Sequence, residues 1–208
     1  MMSDRTPSPC EVESPSSLED YERHGFVVLR NLLGAESTDR IRMGIEGLYE
    51  RIESLPPGHV YNLDPDPARV GPGGIPAIRN VLTLIPQLAD EMEQAVLSAG
   101  RYYLGTSLAI LWDAAVFMPP GHPEVESAWH QDAYVYKLSS KPEPKVFGYF
   151  WVALGDVAAS GGAIRFVPGS HLGPLLPHGW RRGDPKSGME VSTPIDARSI
   201  YTAALRAG

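Results

Sequence analysis

Residues 147–171 decide the fold. They run Phe147-Gly148-Tyr149-Phe150-Trp151-Val152-Ala153-Leu154-Gly155-Asp156-Val157 and then Ser160-Gly161-Gly162-Ala163-Ile164-Arg165-Phe166-Val167-Pro168-Gly169-Ser170-His171. Aromatic and β-branched side chains fill Gly148 to Leu154 and again Ala163 to Val167, the composition that suits a pleated, half-buried strand. The glycines at 161, 162 and 169 tolerate positive φ, so they mark tight connections rather than a phosphate cradle. The same signature extends outward. Leu108 to Met118 is an apolar run broken only by Asp113 and closed by Pro119-Pro120-Gly121, and Ile200 to Leu205 makes a last strand.

The chain before Gly105 carries a different period. Ile41, Ile45, Leu48, Ile52 and Leu55 recur in steps of four and three, which aligns them on one side of a helix starting near Ser37 or Thr38 and stopped by Pro56-Pro57-Gly58. A second amphipathic helix is expected from Pro86 to Leu104, with Leu88, Met92, Ala95, Ala99 and Tyr103 inward and Gly105 at its end. Ser16 and Glu19 have capping-box spacing for a short helix ending at Gly25, and Phe26 to Leu29 continues as a strand. Residues 58–76 hold so many Pro, Gly and Asp that they read as loop, as do residues 172–198. Residues 1–16, rich in Ser, Pro and acidic side chains, read as a disordered tail, with one domain expected over 17–208. Helices followed by short strands predict an α+β domain in which the helices buttress antiparallel strands.

Composition removes several classes of function. The 208 residues carry a formal charge of −7 and no Lys/Arg run, so neither nucleic acid nor a membrane surface is an expected partner. A single cysteine, Cys10, rules out a disulfide framework or a thiolate metal site within one chain, so any metal must use His and carboxylate. With neither a signal-peptide start nor an apolar run of ~18 residues, a cytoplasmic protein is the expectation. No G-x-S-x-G elbow or phosphate-binding glycine motif is present.

The chemistry concentrates in Trp129-His130-Gln131-Asp132. His130 and Asp132, two residues apart, share a face if the stretch is extended. An imidazole and a carboxylate, with one further His, form the ligand set that leaves positions open on Fe(II) for a bidentate co-substrate and dioxygen. By itself an H-x-D spacing is weak evidence, since a lone His beside an apolar strand is more often a hydrogen-bonded core residue.

The order of motifs resolves this ambiguity. The Gly25-Phe26-Val27-Val28-Leu29 opening, the amphipathic helices, W-H-Q-D, the strand Trp151-Val152-Ala153-Leu154 and the closing Pro168-Gly169-Ser170-His171 together resemble the phytanoyl-CoA dioxygenase family. The resemblance implies a double-stranded β-helix, a cupin-like jelly roll, with iron at one mouth and His130 and Asp132 as two of its three protein ligands. It implies a 2-oxoglutarate-dependent dioxygenase that hydroxylates a small organic substrate and releases succinate and CO2. Trp151 and Arg79 fall where relatives border the co-substrate, and Tyr134 and Tyr136 fall where one strand face could line the substrate pocket.

The family pattern continues with a Gly-Asp turn, a distal His ligand and an Arg for the co-substrate. No position here matches that His or that Arg, since the sequence reaches Leu205-Arg206-Ala207-Gly208 on the approach to that turn. The expectation is therefore a jelly roll without its last strands. Two alternatives follow: a truncated or non-catalytic relative, or a cupin-like metalloenzyme that uses His171 or His178 and no 2-oxoglutarate.

Overall fold

The computed structural model describes residues 16–62, 75–105, 107–117, 127–134, 147–183 and 188–208. The expected tail lies outside them, apart from Ser16. Helix α1, Leu18–His24, opens one residue later than Ser16-Glu19 spacing suggests, because Ser17 and Asp20 form the reciprocal cap. Ser17 Oγ accepts the Asp20 N–H at 3.0 Å, and Asp20 Oδ2 accepts the Ser17 N–H at 3.0 Å. Gly25, at φ 81, ends the helix in the left-handed conformation. Phe26 and Val28 are buried, but among the described residues no strand pairs with Phe26 to Leu29. Ring packing replaces a ladder: Phe26 stacks on Phe166 at 4.2 Å and lies 5.0 Å from Tyr201.

Helix α2, Ala35–Glu50, starts earlier than expected because Thr38, rather than capping it, returns its hydroxyl to Gly34 O at 3.0 Å. The predicted stripe is realised. Ile41 and Leu48 are fully buried, and Ile52 and Leu55 carry the apolar face on through a 3-10 turn, Ile52–Ser54.

Residues 58–76 contain a strand that sequence composition hid. Strand β1, Val60–Asn62, pairs antiparallel with β2, Pro76–Arg79, and β2 pairs with β3, Ala114–Val116. Ile78 sits at the centre, opposite Val60 on one side and Ala115 on the other. With Leu48, Val81, Ile85 and Ala115 it forms the main core, where each fully buried Leu or Ile contributes about 1.5–3 kcal/mol. The Tyr49 hydroxyl locks α2 to this sheet. It accepts the Phe117 N–H at 3.1 Å and turns its own proton toward the carbonyls of Ala115 at 3.0 Å and Pro76 at 3.2 Å.

Beyond β2, Asn80 at φ 55 turns the chain into a short helix α3, Val81–Leu84. Asp113, the lone polar residue in its apolar run, explains itself here: its Oδ1 accepts the Leu82 N–H at 3.1 Å. Helix α4 spans Pro86–Leu104, as the sequence predicts, with Pro86 at its first turn.

The second half has shorter strands than expected. Strand β4, Arg165–Phe166, pairs with β7, Tyr201–Thr202, and β5, His178–Trp180, pairs with β6, Met189–Val191. The β5–β6 hairpin corrects the loop reading of 172–198. Of Leu108 to Met118 only β3 is paired among the described residues, and Gly148 to Leu154 forms no described strand at all. Gly148 to Leu154 takes other partners. Phe150 packs over Gly100 of α4, where a Cβ would meet its ring at 3.5 Å, and Ala153 O accepts the Gly208 N–H at 2.9 Å. The α+β class stands, built from three small antiparallel sheets among the described residues. No described helix is long and apolar enough to cross a membrane.

Candidate active site

The Trp129-His130-Gln131-Asp132 segment is not the alternating strand expected of it. Asp132 to Tyr134 form a helical turn, closed by the Tyr134 N–H on Gln131 O at 2.9 Å. His130 and Asp132 nevertheless converge, His130 standing just before the turn and Asp132 at its start: His130 Nε2 lies 3.5 Å from Asp132 Oδ1. Both side chains are about two-fifths exposed, at 43% and 41%, so an ion can reach them.

The imidazole is fixed in one tautomer. A carbonyl oxygen only accepts, so the 2.7 Å contact of His130 Nδ1 with Ala128 O puts the proton on Nδ1 and leaves the Nε2 lone pair facing Asp132. A backbone carbonyl holding the far nitrogen is the usual second partner of a metal-ligating histidine. Once the ring is protonated, Nε2–H donates to Asp132, and this bond, with the Ala128 carbonyl and Coulomb attraction, raises the His130 pKa against the opposing effect of burial. The donor set fits two positions on a hard or borderline divalent cation. Among the described residues no third His, Cys, Asp or Glu joins it.

His171 and His178 are engaged elsewhere. His171 Nε2 donates to Glu22 O at 3.0 Å, one of the last-turn carbonyls of α1. His178 accepts the Gln131 N–H on Nε2 at 3.0 Å and therefore donates through Nδ1 to Leu176 O at 2.9 Å. Further contacts surround the same segment: Leu176 N–H on Gln131 Oε1 at 2.7 Å, Val191 N–H on Trp129 O at 2.7 Å, and the Arg165 guanidinium 5.1 Å over the Trp129 ring. Tyr134 stacks on His178 at 4.2 Å.

Arg79 ends β2. Its peptide N–H donates to His59 O at 2.8 Å and its carbonyl accepts His59 Nδ1–H at 3.0 Å, which pins its backbone. Its guanidinium lies 4.3 Å over the Tyr61 ring, and among the described residues its buried Nε has no hydrogen-bond partner. Trp151 is 45% exposed, so it is not a core residue. Among the described residues neither Arg79 nor Trp151 bonds to His130 or Asp132, and Tyr136 lies outside those residues. Sequence reasoning missed Gln131 and the supporting role of His178. The only signal for that role was the histidine itself, in a segment read as loop.

The family model described as phytanoyl-CoA dioxygenase (PhyH) matches residues 21–208. The peroxisomal phytanoyl-CoA dioxygenases of Rattus norvegicus and Mus musculus are 25% and 26% identical over 167 and 166 residues, covering 76% of this chain in each case. The chain spans about half the length of these curated relatives, 47% of each. The crystal structure of EvdO2 from Micromonospora carbonacea var. aurantiaca in complex with 2-oxoglutarate superposes with a TM-score of 0.64 at 21% identity, covering 92% of this chain and 76% of that one. EvdO2 without that complex gives 0.63 at 19%. The likeness is one of fold.

Proposed function

This chain belongs to the phytanoyl-CoA dioxygenase family, and from that premise we propose that it contributes the metal-binding segment of an Fe(II)- and 2-oxoglutarate-dependent dioxygenase acting on a small organic molecule. One observation carries the proposal: the Ala128 carbonyl fixes the proton on His130 Nδ1, so that Nε2 and the Asp132 carboxylate face each other as a ready pair of donors. The 2-oxoglutarate in the EvdO2 complex supports the choice of co-substrate.

When bound, iron with 2-oxoglutarate would supply dioxygen activation, decarboxylation to succinate and CO2, and oxidation of a substrate C–H bond. The protein's own tasks are to hold, orient and shield. His130 and Asp132 hold the metal. Arg79 offers its unpartnered Nε to a co-substrate carboxylate, and the exposed Trp151 ring borders the same ligand. Tyr134, and Tyr136 beyond it, line the substrate side. The three small sheets are the parts of a jelly roll, the finer reading of the fold that the EvdO2 likeness supports. The cupin-like alternative asks for a ligand from His178, whose Nε2 lone pair already accepts the Gln131 N–H, or from His171, whose ring is tied to Glu22 O of α1.

The test is an anaerobic titration of the purified chain with Fe(II) and 2-oxoglutarate, following the visible charge-transfer band of the chelate. A saturable band that disappears in Asp132→Ala is the expected outcome. A folded wild type with no band refutes the assignment and leaves a non-catalytic member of the family.

A further inference from the structure

We propose that His178 is a positioning residue that sets the geometry of the metal pair from outside it, by holding the peptide between His130 and Asp132. The proposal rests on the reading of that pair as metal ligands. The two ligands flank a single residue, Gln131, so the orientation of the Gln131 peptide governs how their side chains converge. Among the described residues that peptide has no strand partner, and Asp132 to Tyr134 turn away helically. Its N–H is taken instead by His178 Nε2 at 3.0 Å.

The arrangement around this bond is consistent from every side. His178 and Val191 are register partners in the β5–β6 hairpin, and both hold the segment, Val191 through its N–H on Trp129 O at 2.7 Å. Leu176 N–H holds the Gln131 amide oxygen at 2.7 Å. The hairpin thus brackets Trp129 and Gln131, one residue before each ligand. Because a backbone N–H can only donate, Nε2 must be the acceptor, and Leu176 O keeps Nδ1 protonated at 2.9 Å. Tyr134 lies on the imidazole face at 4.2 Å, which fixes the ring plane. His178 is half-buried, and both nitrogens are spent on orientation, leaving neither for the metal.

Two variants separate the functions of the ring. In His178→Gln the side-chain oxygen reaches the place of Nε2 and keeps an acceptor for Gln131. In His178→Asn the amide nitrogen replaces Nδ1 and the acceptor is lost. Amide hydrogen exchange at Gln131 is read by NMR on the metal-free chain, and Fe(II) affinity by anaerobic titration, with Asp132→Ala as the control. Expected in His178→Asn are exchange at Gln131 faster by about tenfold or more, and iron affinity weakened by about 10- to 100-fold, with both largely restored in His178→Gln.

Unchanged Gln131 exchange in His178→Asn overturns the inference, and so does unchanged iron affinity. Equal loss in both variants, matching Asp132→Ala, overturns it in favour of His178 as a ligand. A wild type whose iron uptake is indifferent to Asp132→Ala brings down the metal assignment itself and the inference with it, a pattern distinct from the others.

Discussion

Replacing Arg79 by Met separates a binding residue from a structural one. In the folded chain Arg79 is poorly served: burying Nε without a partner costs about 1–3 kcal/mol, and the contact with Tyr61 returns about 0.5–2 kcal/mol. These terms oppose each other, so Arg79→Met is expected to lose no more than about 1 kcal/mol of stability. A co-substrate carboxylate would supply the missing partner, through a charge-assisted hydrogen bond of about 1.5–3 kcal/mol. Its loss corresponds to roughly 10- to 150-fold weaker binding of 2-oxoglutarate.

Thermal melts of the Fe(II)-loaded protein measure both effects. At 2-oxoglutarate about 100 times its wild-type dissociation constant, binding adds about 2.7 kcal/mol, a rise of roughly 5–11 °C for a domain of this size. The same concentration is only about 10 to 0.7 times the variant's constant, which leaves about 1.4 to 0.3 kcal/mol, half the shift or less. The anaerobic charge-transfer titration gives the constants directly. A variant that binds 2-oxoglutarate as tightly as wild type while losing more than about 2 kcal/mol of stability makes Arg79 a structural residue and refutes the reasoning.

Gly25→Ala should destabilise the chain by well over the roughly 1–2 kcal/mol of left-handed strain, because a Cβ there overlaps the His171 ring that caps α1; urea unfolding shows it, and His171→Ala in the same background should recover part of the loss. Tyr49→Phe should cost about 1–3 kcal/mol, since three backbone groups lose one hydroxyl. Burial pushes that phenol up to about 12 from an ordinary 10.0, so the native state holds its proton where the unfolded chain releases it. The wild type should therefore lose stability as pH rises from about 10 to 12, and Tyr49→Phe less so. For His130 the sign runs two ways. Its raised pKa gives the metal-free chain a small ion-pair contribution with Asp132 that is present at low pH and lost as pH rises through the folded value, small because both groups are exposed. Iron needs the deprotonated ring, so its affinity should fall about tenfold per pH unit below that same value and level off above it, as pH-resolved titrations would show; a flat profile counts against Nε2 as the donor.

The legible parts of the fold were those written in local periods. The Ile41-to-Leu55 stripe and the Pro86–Leu104 helix needed only spacing and a stop signal, and Gly25 announced its own conformation. Val60–Asn62 was illegible because its neighbours are Pro, Gly and Asp, and what makes it a strand is Ile78, eighteen residues on. The β5–β6 hairpin hid for the same reason: His178-Gly179-Trp180 has little strand propensity and is stabilised by Met189 to Val191. The convergence of His130 and Asp132 was read from spacing on an extended segment, whereas the chain enters a helical turn at Asp132. The partner of Gln131 could not be read at all, because His178 lies 47 residues away.

The two halves of the proposed site are held by different structural devices. Arg79 stands at the end of β2, fixed by the main core and by both hydrogen bonds to His59, so its backbone shares the stability of α2 and the first sheet. Among the described residues, His130 and Asp132 stand on a segment with no strand ladder of its own, tied by side chains and by a backbone bond from Val191. A peptide held in that way follows its clamp rather than the core. Changes in the core should therefore reach co-substrate binding before they reach the metal pair, and changes at His178 the reverse, so on the proposed reading the two affinities are separable.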